Sequence, residues 1–203
     1  MNSKNFITEK VGFLEVNCYI IPSEEDGCVY IIDPGASPGK IASHARSLGF
    51  NDYKIILTHA HIDHISALKE TMDELNTTFV YLHESDMGLY QSPANELQPL
   101  MPALKEHPKT VHSLDSDMIE VIHTPGHTLG GVSFYIKKFN TLFTGDTLFR
   151  HSIGRTDFPG GCLETLLDSI KNSLLTLPDD TEIFPGHGPS SSIREEKKLN
   201  PFL

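Results

Sequence analysis

The stretch Thr58-His59-Ala60-His61-Ile62-Asp63-His64 decides how this chain is interpreted. It places three imidazoles and one carboxylate directly after the apolar run Ile55-Ile56-Leu57. An apolar run that is typical of a strand, followed by potential ligands, predicts a metal-binding loop at the end of a strand. A purely structural role for this cluster is a weak alternative, because histidine is a scarce residue that rarely fills a core.

Three later motifs also place a potential ligand after a predicted strand. They are Thr124-Pro125-Gly126-His127-Thr128, Phe143-Thr144-Gly145-Asp146-Thr147 and Phe184-Pro185-Gly186-His187-Gly188. In each motif a glycine lets the backbone turn sharply just before the candidate ligand. Each motif alone would be an ordinary turn. Their occurrence together, downstream of the histidine cluster, indicates a metal centre built at strand ends.

The spacing divides the ligands between two metals. His59 and His61 lie two residues apart, so on an extended segment they point the same way and can share one metal. Asp63 and His64 belong to the following turn and can face a second metal. The expected ligand sets are His59, His61, His127 and Asp146, and Asp63, His64, His187 and Asp146. Nitrogen and oxygen ligands favour two divalent ions, zinc first, with iron or manganese as alternatives.

The composition of the chain limits its partners. A formal charge of -11 argues against binding of nucleic acid or an anionic membrane. The 203 residues fit one domain. Three cysteines without C-x-x-C spacing are typical of free thiols, and MNSKNFITEK lacks the apolar core of a signal peptide. We therefore expect a cytoplasmic protein with a small-molecule substrate, and the oligomeric state stays open.

Strands and helices interleave along the chain. Strands are predicted at 17–21, 28–32, 54–57, 79–82, 118–123, 132–136, 141–144 and 182–184, and helices at 39–48, 66–75 and 162–175. This α/β (α+β) pattern fits two sheets packed face to face with helices outside. The proline-rich stretch 91–108 predicts a long surface loop with helical turns.

In this order and spacing, the histidine cluster and the three later motifs resemble the metallo-β-lactamase superfamily. The resemblance runs from about Phe13 to the C-terminus. It implies a four-layer αββα sandwich with two mixed sheets and a binuclear centre at one sheet edge. It also implies that Asp33 holds the histidine loop by hydrogen bonds. The alternative for Asp33 is a plain turn residue before Pro34-Gly35.

Within the superfamily, Gly145-Asp146-Thr147-Leu148-Phe149 followed by Ile153-Gly154-Arg155-Thr156-Asp157 resembles the hydroxyacylglutathione hydrolase (glyoxalase II) branch. The resemblance implies that residues 1–203 form one hydrolase domain without the C-terminal helical domain of full-length glyoxalase II. That branch carries a lysine and a tyrosine where Arg155 and Asp157 stand here. We expect Arg155 and Phe149 to contact substrate, and Asp157 to support neighbouring side chains.

The expected reaction is hydrolysis of S-(2-hydroxyacyl)glutathione, such as S-D-lactoylglutathione, to glutathione and a 2-hydroxy acid. A hydroxide that bridges two divalent metals is a nucleophile at neutral pH. Asp63 and Asp146 are predicted to act in catalysis as well as to bind metal, with Asp63 orienting the attacking oxygen. The thiolate leaves without a proton, so no separate general acid is needed.

Several alternatives stay open. A mononuclear iron persulfide dioxygenase resembles the chain through Gly154-Arg155-Thr156-Asp157-Phe158, although the second ligand set favours two metals. A lactonase, β-lactamase or nuclease of the same fold would share the centre. A non-catalytic metal-binding module would close its metal with four protein ligands. No role is predicted for His44, His83, His107, His112, His123 and His151.

Overall fold

A computed structural model describes residues 6–203, and two five-stranded sheets form its centre. The strands of the first sheet are β1 (Ile7–Val11), β2 (Val16–Ser23), β3 (Cys28–Ile32), β4 (Tyr53–Ile56) and β5 (Val80–Tyr81), in that spatial order. The second sheet contains β6 (Glu120–His123), β7 (Val132–Ile136), β8 (Thr141–Gly145), β11 (Glu182–Pro185) and β12 (Ser191–Ser192). Its spatial order is β12-β11-β8-β7-β6, and β9 (Leu148–Phe149) pairs with β10 (Ser152–Ile153) in a separate hairpin.

Helices connect the strands, and the longer helices cover the outer faces of the two sheets. The helices are α1 (Pro38–Ser47), α2 (Ile62–Ile65), α3 (Leu68–Leu75), α4 (Met87–Tyr90), α5 (Leu163–Ser169) and α6 (Ile193–Leu199). Short 3-10 turns span Glu84–Asp86 and Lys137–Phe139, and a π-helical turn at Ile170–Leu174 continues α5. Within residues 6–203 no helix is both long and apolar enough to cross a bilayer.

Alternation along the strands produces three apolar layers. Tyr19 and Ile21 of β2 point between the sheets and pack in one cluster with Phe134 and Phe143 of the second sheet. The residues between them point the other way, because side chains alternate along a strand, and Ile20 packs in the cluster that includes residues of α1 and α3. A third cluster joins the outer face of the second sheet to α5 and α6. The predicted αββα sandwich of two mixed sheets is confirmed.

Short edge elements depart from the sequence prediction. The structure adds β1, β9, β10, β12 and α6, whose two to seven residues are too few to give a clear hydrophobic period. The helix predicted at 66–75 begins only at Leu68, and a separate turn, α2, precedes it and carries Asp63 and His64. The stretch 91–108 contains hydrogen-bonded turns between Leu97 and Met101, but no helix is formed there.

The candidate site residues lie at one edge of the sandwich. β3 and β4 run parallel, as do β8 and β11, so their carboxyl ends lie at a common edge of each sheet. Asp33 follows β3 and the histidine cluster follows β4. Asp146 and His187 follow β8 and β11 in the same way. The chain order therefore brings residues more than 150 positions apart to the same edge.

Candidate metal centre

The first candidate group contains His59, His61 and His127, whose ligand atoms all lie within 4.8 Å of one another. Nδ1 of His61 lies 2.9 Å from Nε2 of His127. Nε2 of His59 is buried without a hydrogen-bond partner in the described part of the chain. Buried polar atoms normally have partners, so this lone nitrogen fits a group that takes a cation.

The second candidate group contains Asp63, His64 and His187. Nε2 of His64 lies 3.3 Å from Nε2 of His187, and Nε2 of His187 lies 3.3 Å from Oδ2 of Asp63. Two ring nitrogens and a carboxylate oxygen that converge in this way suit one oxygen- and nitrogen-liganded metal.

Asp146 lies between the two groups. Its Oδ2 is 3.7 Å from Nε2 of His127 and 3.6 Å from Nε2 of His187. Its Oδ1 has no hydrogen-bond partner within residues 6–203. A Cβ at Gly186 would lie 2.3 Å from this Oδ1, so the glycine leaves room for the carboxylate. One carboxylate thus reaches both groups, as the predicted bridging position requires.

Hydrogen bonds at Nδ1 fix the tautomers of four histidines. His127 donates from Nδ1 to the carbonyl oxygen of Arg155 (2.7 Å), and His187 donates to that of Leu14 (3.0 Å). His64 donates to Oδ2 of Asp33 at 2.9 Å. The Thr58 hydroxyl donates to Asp33 and therefore accepts from Nδ1 of His59, 3.0 Å away. Each neutral ring then has its lone pair at Nε2, the atom that faces the centre.

The electrostatics of the centre favour a bound cation. Burial, reinforced by the neighbouring imidazoles, lowers the pKa of His59 and brings that of His61 to about 4, so both rings are neutral at pH 7. Metal binding needs neutral imidazoles. Burial opposes charge on His64, but Asp146, Asp63 and Asp33 outweigh it and raise the pKa of this ring. The same carboxylates would stabilise a metal ion at this position.

Asp33 fixes the histidine loop. Its Oδ1 accepts from Thr58 N at 2.8 Å, while its Oδ2 accepts from Thr58 Oγ1 at 2.6 Å and from the ring of His64. Asp33 also belongs to a third cluster of possible ligands with His59 and His64. Its oxygens are already used by these hydrogen bonds, so Asp33 orients ligands instead of forming a further site.

Asp86 is a functional residue that sequence reasoning missed. Its Oδ2 accepts from Ala60 N and from Thr128 Oγ1, both at 2.9 Å, and its Oδ1 accepts from Gly130 N at 2.6 Å. It therefore ties the loop of His59 and His61 to the loop of His127. No motif surrounds Asp86, because its partners, two backbone N–H groups and the Thr128 hydroxyl, become neighbours only in the folded chain.

Asn95 is a second residue that sequence reasoning missed. It lies in the stretch 91–108, where its Oδ1 accepts from Ile62 N at 3.1 Å and its Nδ2 donates to Ala60 O at 2.7 Å. The proline-rich loop is therefore fastened directly to the histidine loop.

The remaining predicted residues lie around the centre. Arg155 forms a two-bond ion pair with Asp157, and its guanidinium lies 3.9 Å from the ring centroid of Phe158. Asp157 thus pairs with Arg155 and makes no hydrogen bond or ion pair to a ligand side chain among the described residues. The Phe149 ring centroid is 6.4 Å from that of His187, and Phe149 does not line the cavity above the centre. His151 contacts Glu195 of α6 instead of the centre.

Comparison with known proteins identifies the class. The family model of the metallo-β-lactamase superfamily matches residues 11–187, so the chain belongs to this superfamily. The probable metallo-hydrolase YqgX of Bacillus subtilis is 37% identical over 95% of this chain and 94% of its own. The hydroxyacylglutathione hydrolase GloC of Haemophilus influenzae is 36% identical over 95% of both chains. TTHA1623, solved in a di-iron-bound form, superposes with a TM-score of 0.85 and 34% identity over 97% of this chain and 100% of its own.

The chain is therefore a metallo-hydrolase of this superfamily. Its histidine and aspartate groups are suited to divalent metals.

Proposed function

We propose that this chain is a binuclear metal-dependent thioester hydrolase that cleaves S-(2-hydroxyacyl)glutathione, for example S-D-lactoylglutathione. The observation that carries the proposal is the carboxylate of Asp146, which reaches both groups of converging ligands. The similarity to GloC supports the thioester substrate, and the di-iron form of TTHA1623 supports two metals.

The donor set fits the metals that the superfamily implies. The proposed ligands are His59, His61, His127 and Asp146 at one metal, and Asp63, His64, His187 and Asp146 at the other. Nε2 of His59 and Oδ1 of Asp146 are buried without hydrogen bonds among the described residues, and such ions would satisfy both atoms. Divalent ions bound here would lower the pKa of water to about 7 and polarise a thioester carbonyl. Zinc is our first choice for both ions.

The protein groups prepare substrate and water for this reaction. Asp63 Oδ2, beside His187 at the floor of the cavity, is a hydrogen-bond acceptor for the attacking water. Arg155 on the cavity wall keeps its Nη1 group, outside the ion pair with Asp157, as a donor for the peptide part or a carboxylate of glutathione. The departing thiolate needs no proton, so Asp63 and Asp146 can stay ionised throughout.

Two further proposals concern the setting of the enzyme. Cys18, Cys28 and Cys162 are free thiols, which suits a reducing compartment, and we propose the cytoplasm. We also propose that residues 1–203 work as one hydrolase domain on a small-molecule substrate.

The test is metal content per chain, measured together with thiol release from S-D-lactoylglutathione on the same sample. We expect about two metals per chain and thiol release. His59→Ala should lower both, with turnover reduced at least about 100-fold. His44→Ala is the matched control, because His44 lies on α1 beside Glu9 and outside the centre.

Two metals with no thiol release from any thioester would overturn the proposal. One iron per chain, with oxygen uptake on glutathione persulfide and no thiol release, would assign the dioxygenase reaction instead.

A further inference from the structure

A cavity of about 660 Å³ opens above the candidate centre. This volume is typical of small-molecule sites. His61, Asp63, His127, Asp146 and His187 form its floor. The substrate that reaches the proposed metals must therefore fill this space, and the walls determine which substrate fits.

One wall is apolar and exposed. Phe13 and Leu14 are 53% and 39% exposed, Leu100 is 64% exposed, and all three line the cavity with Leu97. Large exposed apolar side chains grouped at a cavity mark a binding surface. These residues come from two distant loops, so their meeting is a property of the folded chain.

The apolar wall is anchored to the centre. Phe13 and Leu14 form the tip of the β1–β2 hairpin, which Gly12 turns with a φ of 69°. The carbonyl oxygen of Leu14 accepts a hydrogen bond from His187 at 3.0 Å. A Cβ at Gly12 would lie 3.6 Å from Met101, so the hairpin also abuts the loop that carries Leu100. The wall therefore stands beside the second ligand group.

The opposite wall has a different character. Arg155 is the sole Lys or Arg among the described residues that line the cavity, and it lies there with Phe158 and Pro159. Its main chain is fixed to the other ligand group, because the Arg155 carbonyl oxygen accepts from His127 at 2.7 Å. Asp157 holds Nε and Nη2 of Arg155, so Nη1 is the donor that remains for a carboxylate of the thiol carrier, whereas the apolar wall offers no cation.

We propose that this site prefers 2-hydroxyacyl thioesters whose acyl group continues as an extended apolar chain, bound against Phe13, Leu14, Leu97 and Leu100. The carrier then lies along the Arg155 wall, with the thioester bond above the ligands between them. This inference rests on the proposed thioester hydrolysis and adds the class of acyl group. Each methylene that leaves water on binding contributes about 0.8 kcal/mol, which is about fourfold in affinity.

Binding of uncleavable thioethers tests the wall independently of turnover. The probes are S-methyl-, S-butyl- and S-hexylglutathione, titrated calorimetrically into the metal-loaded protein. We expect the dissociation constant to fall about three- to fourfold per methylene. Leu100→Ser and Phe13→Ser should flatten this dependence. Leu199→Ser is the matched control, because Leu199 is 61% exposed on α6 and does not line the cavity.

Equal affinity across the thioether series, or a Leu199→Ser variant that flattens it equally, would overturn the apolar wall. Thermal unfolding of each variant checks that the exposed substitutions leave the fold intact.

Hydrolysis of matched thioesters separates this inference from the proposed function. We expect kcat/KM to rise from S-lactoyl- to S-(2-hydroxybutanoyl)- to S-(2-hydroxyhexanoyl)glutathione, and Leu100→Ser to remove the rise. Thiol release that is equal for all three would reject the acyl preference and leave the hydrolase standing. No thiol release from any of them, with the thioether series still graded, would reject the hydrolase and leave the apolar binding wall.

Discussion

Two buried aspartates hold the candidate centre in different ways. Asp33 and Asp86 are each 1% exposed, and each accepts three hydrogen bonds. The partners of Asp33 lie in one loop and include the ring of His64, so Asp33 determines where a proton sits. The partners of Asp86 lie in two loops, at residues 60 and 128–130, so Asp86 determines how the first sheet meets the second. Asp33 thus controls the protonation of a ligand ring, and Asp86 controls the relative position of two ligand loops.

The largest effect is expected from Asp86→Ala. The substitution leaves Ala60 N, Gly130 N and the Thr128 hydroxyl without their buried acceptor, and each unsatisfied donor costs about 1–3 kcal/mol. We expect the free energy of unfolding in urea to fall by about 3–5 kcal/mol. The exposed Asp115 provides the control, since Asp115→Ala should change it by less than about 0.5 kcal/mol. A loss below about 1 kcal/mol would mean that Asp86 does not join the two loops.

Asp33→Asn is expected to act on metal binding. The orientation that keeps the Thr58 N–H bond turns the amide NH₂ towards Nδ1 of His64. That nitrogen must then accept, so the ring proton moves to Nε2, the proposed ligand atom. We expect 10–100-fold weaker binding at the second group, with metal content falling from about two to about one per chain.

Asp86→Asn is the matched variant for this measurement. It should keep about two metals per chain, because it changes no histidine tautomer. The introduced NH₂ group replaces the oxygen that accepts from Gly130 N. That backbone donor then has no acceptor, so the free energy of unfolding should fall by about 1–3 kcal/mol. Equal metal content in Asp33→Asn and Asp86→Asn would remove the distinction between the two carboxylates.

The smallest effect is expected from Thr128→Val. It deletes one buried hydroxyl that donates to Asp86 while keeping the side-chain shape, and should lower the free energy of unfolding by about 1–2 kcal/mol. Thr128→Ser keeps the donor and should lose less. In an Asp86→Ala background the valine substitution should add almost nothing, because its partner is already absent. If Thr128→Val lowers the free energy of unfolding equally in the wild-type and Asp86→Ala proteins, the loss comes from packing and not from the hydrogen bond to Asp86.

The residues of the centre that could be predicted from the sequence are ligands that lie in short motifs. The loop of residues 58–64 follows an apolar strand, and His127, Asp146 and His187 each follow a glycine turn. Strand ends gather at sheet edges, so this pattern was enough to group the ligands. The helix expected from about 66 to 75 is present as α3, which begins at Leu68, and the turn expected for Asp63 and His64 is the separate α2.

The roles of Asp86, Asn95 and the apolar wall could not be predicted from the sequence. Four of the five hydrogen bonds of Asp86 and Asn95 go to backbone groups, and every backbone amide or carbonyl looks the same in a sequence. Phe13 and Leu100 lie 87 positions apart on exposed loops, where apolar residues carry no periodic signal. These residues act together because the fold brings their loops side by side at the cavity.

The sequence by itself determined the α/β pattern of strands and helices and the ligand residues at the strand ends, because hydrophobic alternation and ligand type are local properties. The order and spacing of the ligand motifs determined the superfamily by resemblance, and that resemblance implied the αββα architecture. The tertiary structure alone decided which ring nitrogen carries a proton, which carboxylate joins the two sheets and which wall of the cavity is apolar. These properties depend on distances of about 3 Å between groups that the chain separates widely, and only the packed fold sets such distances.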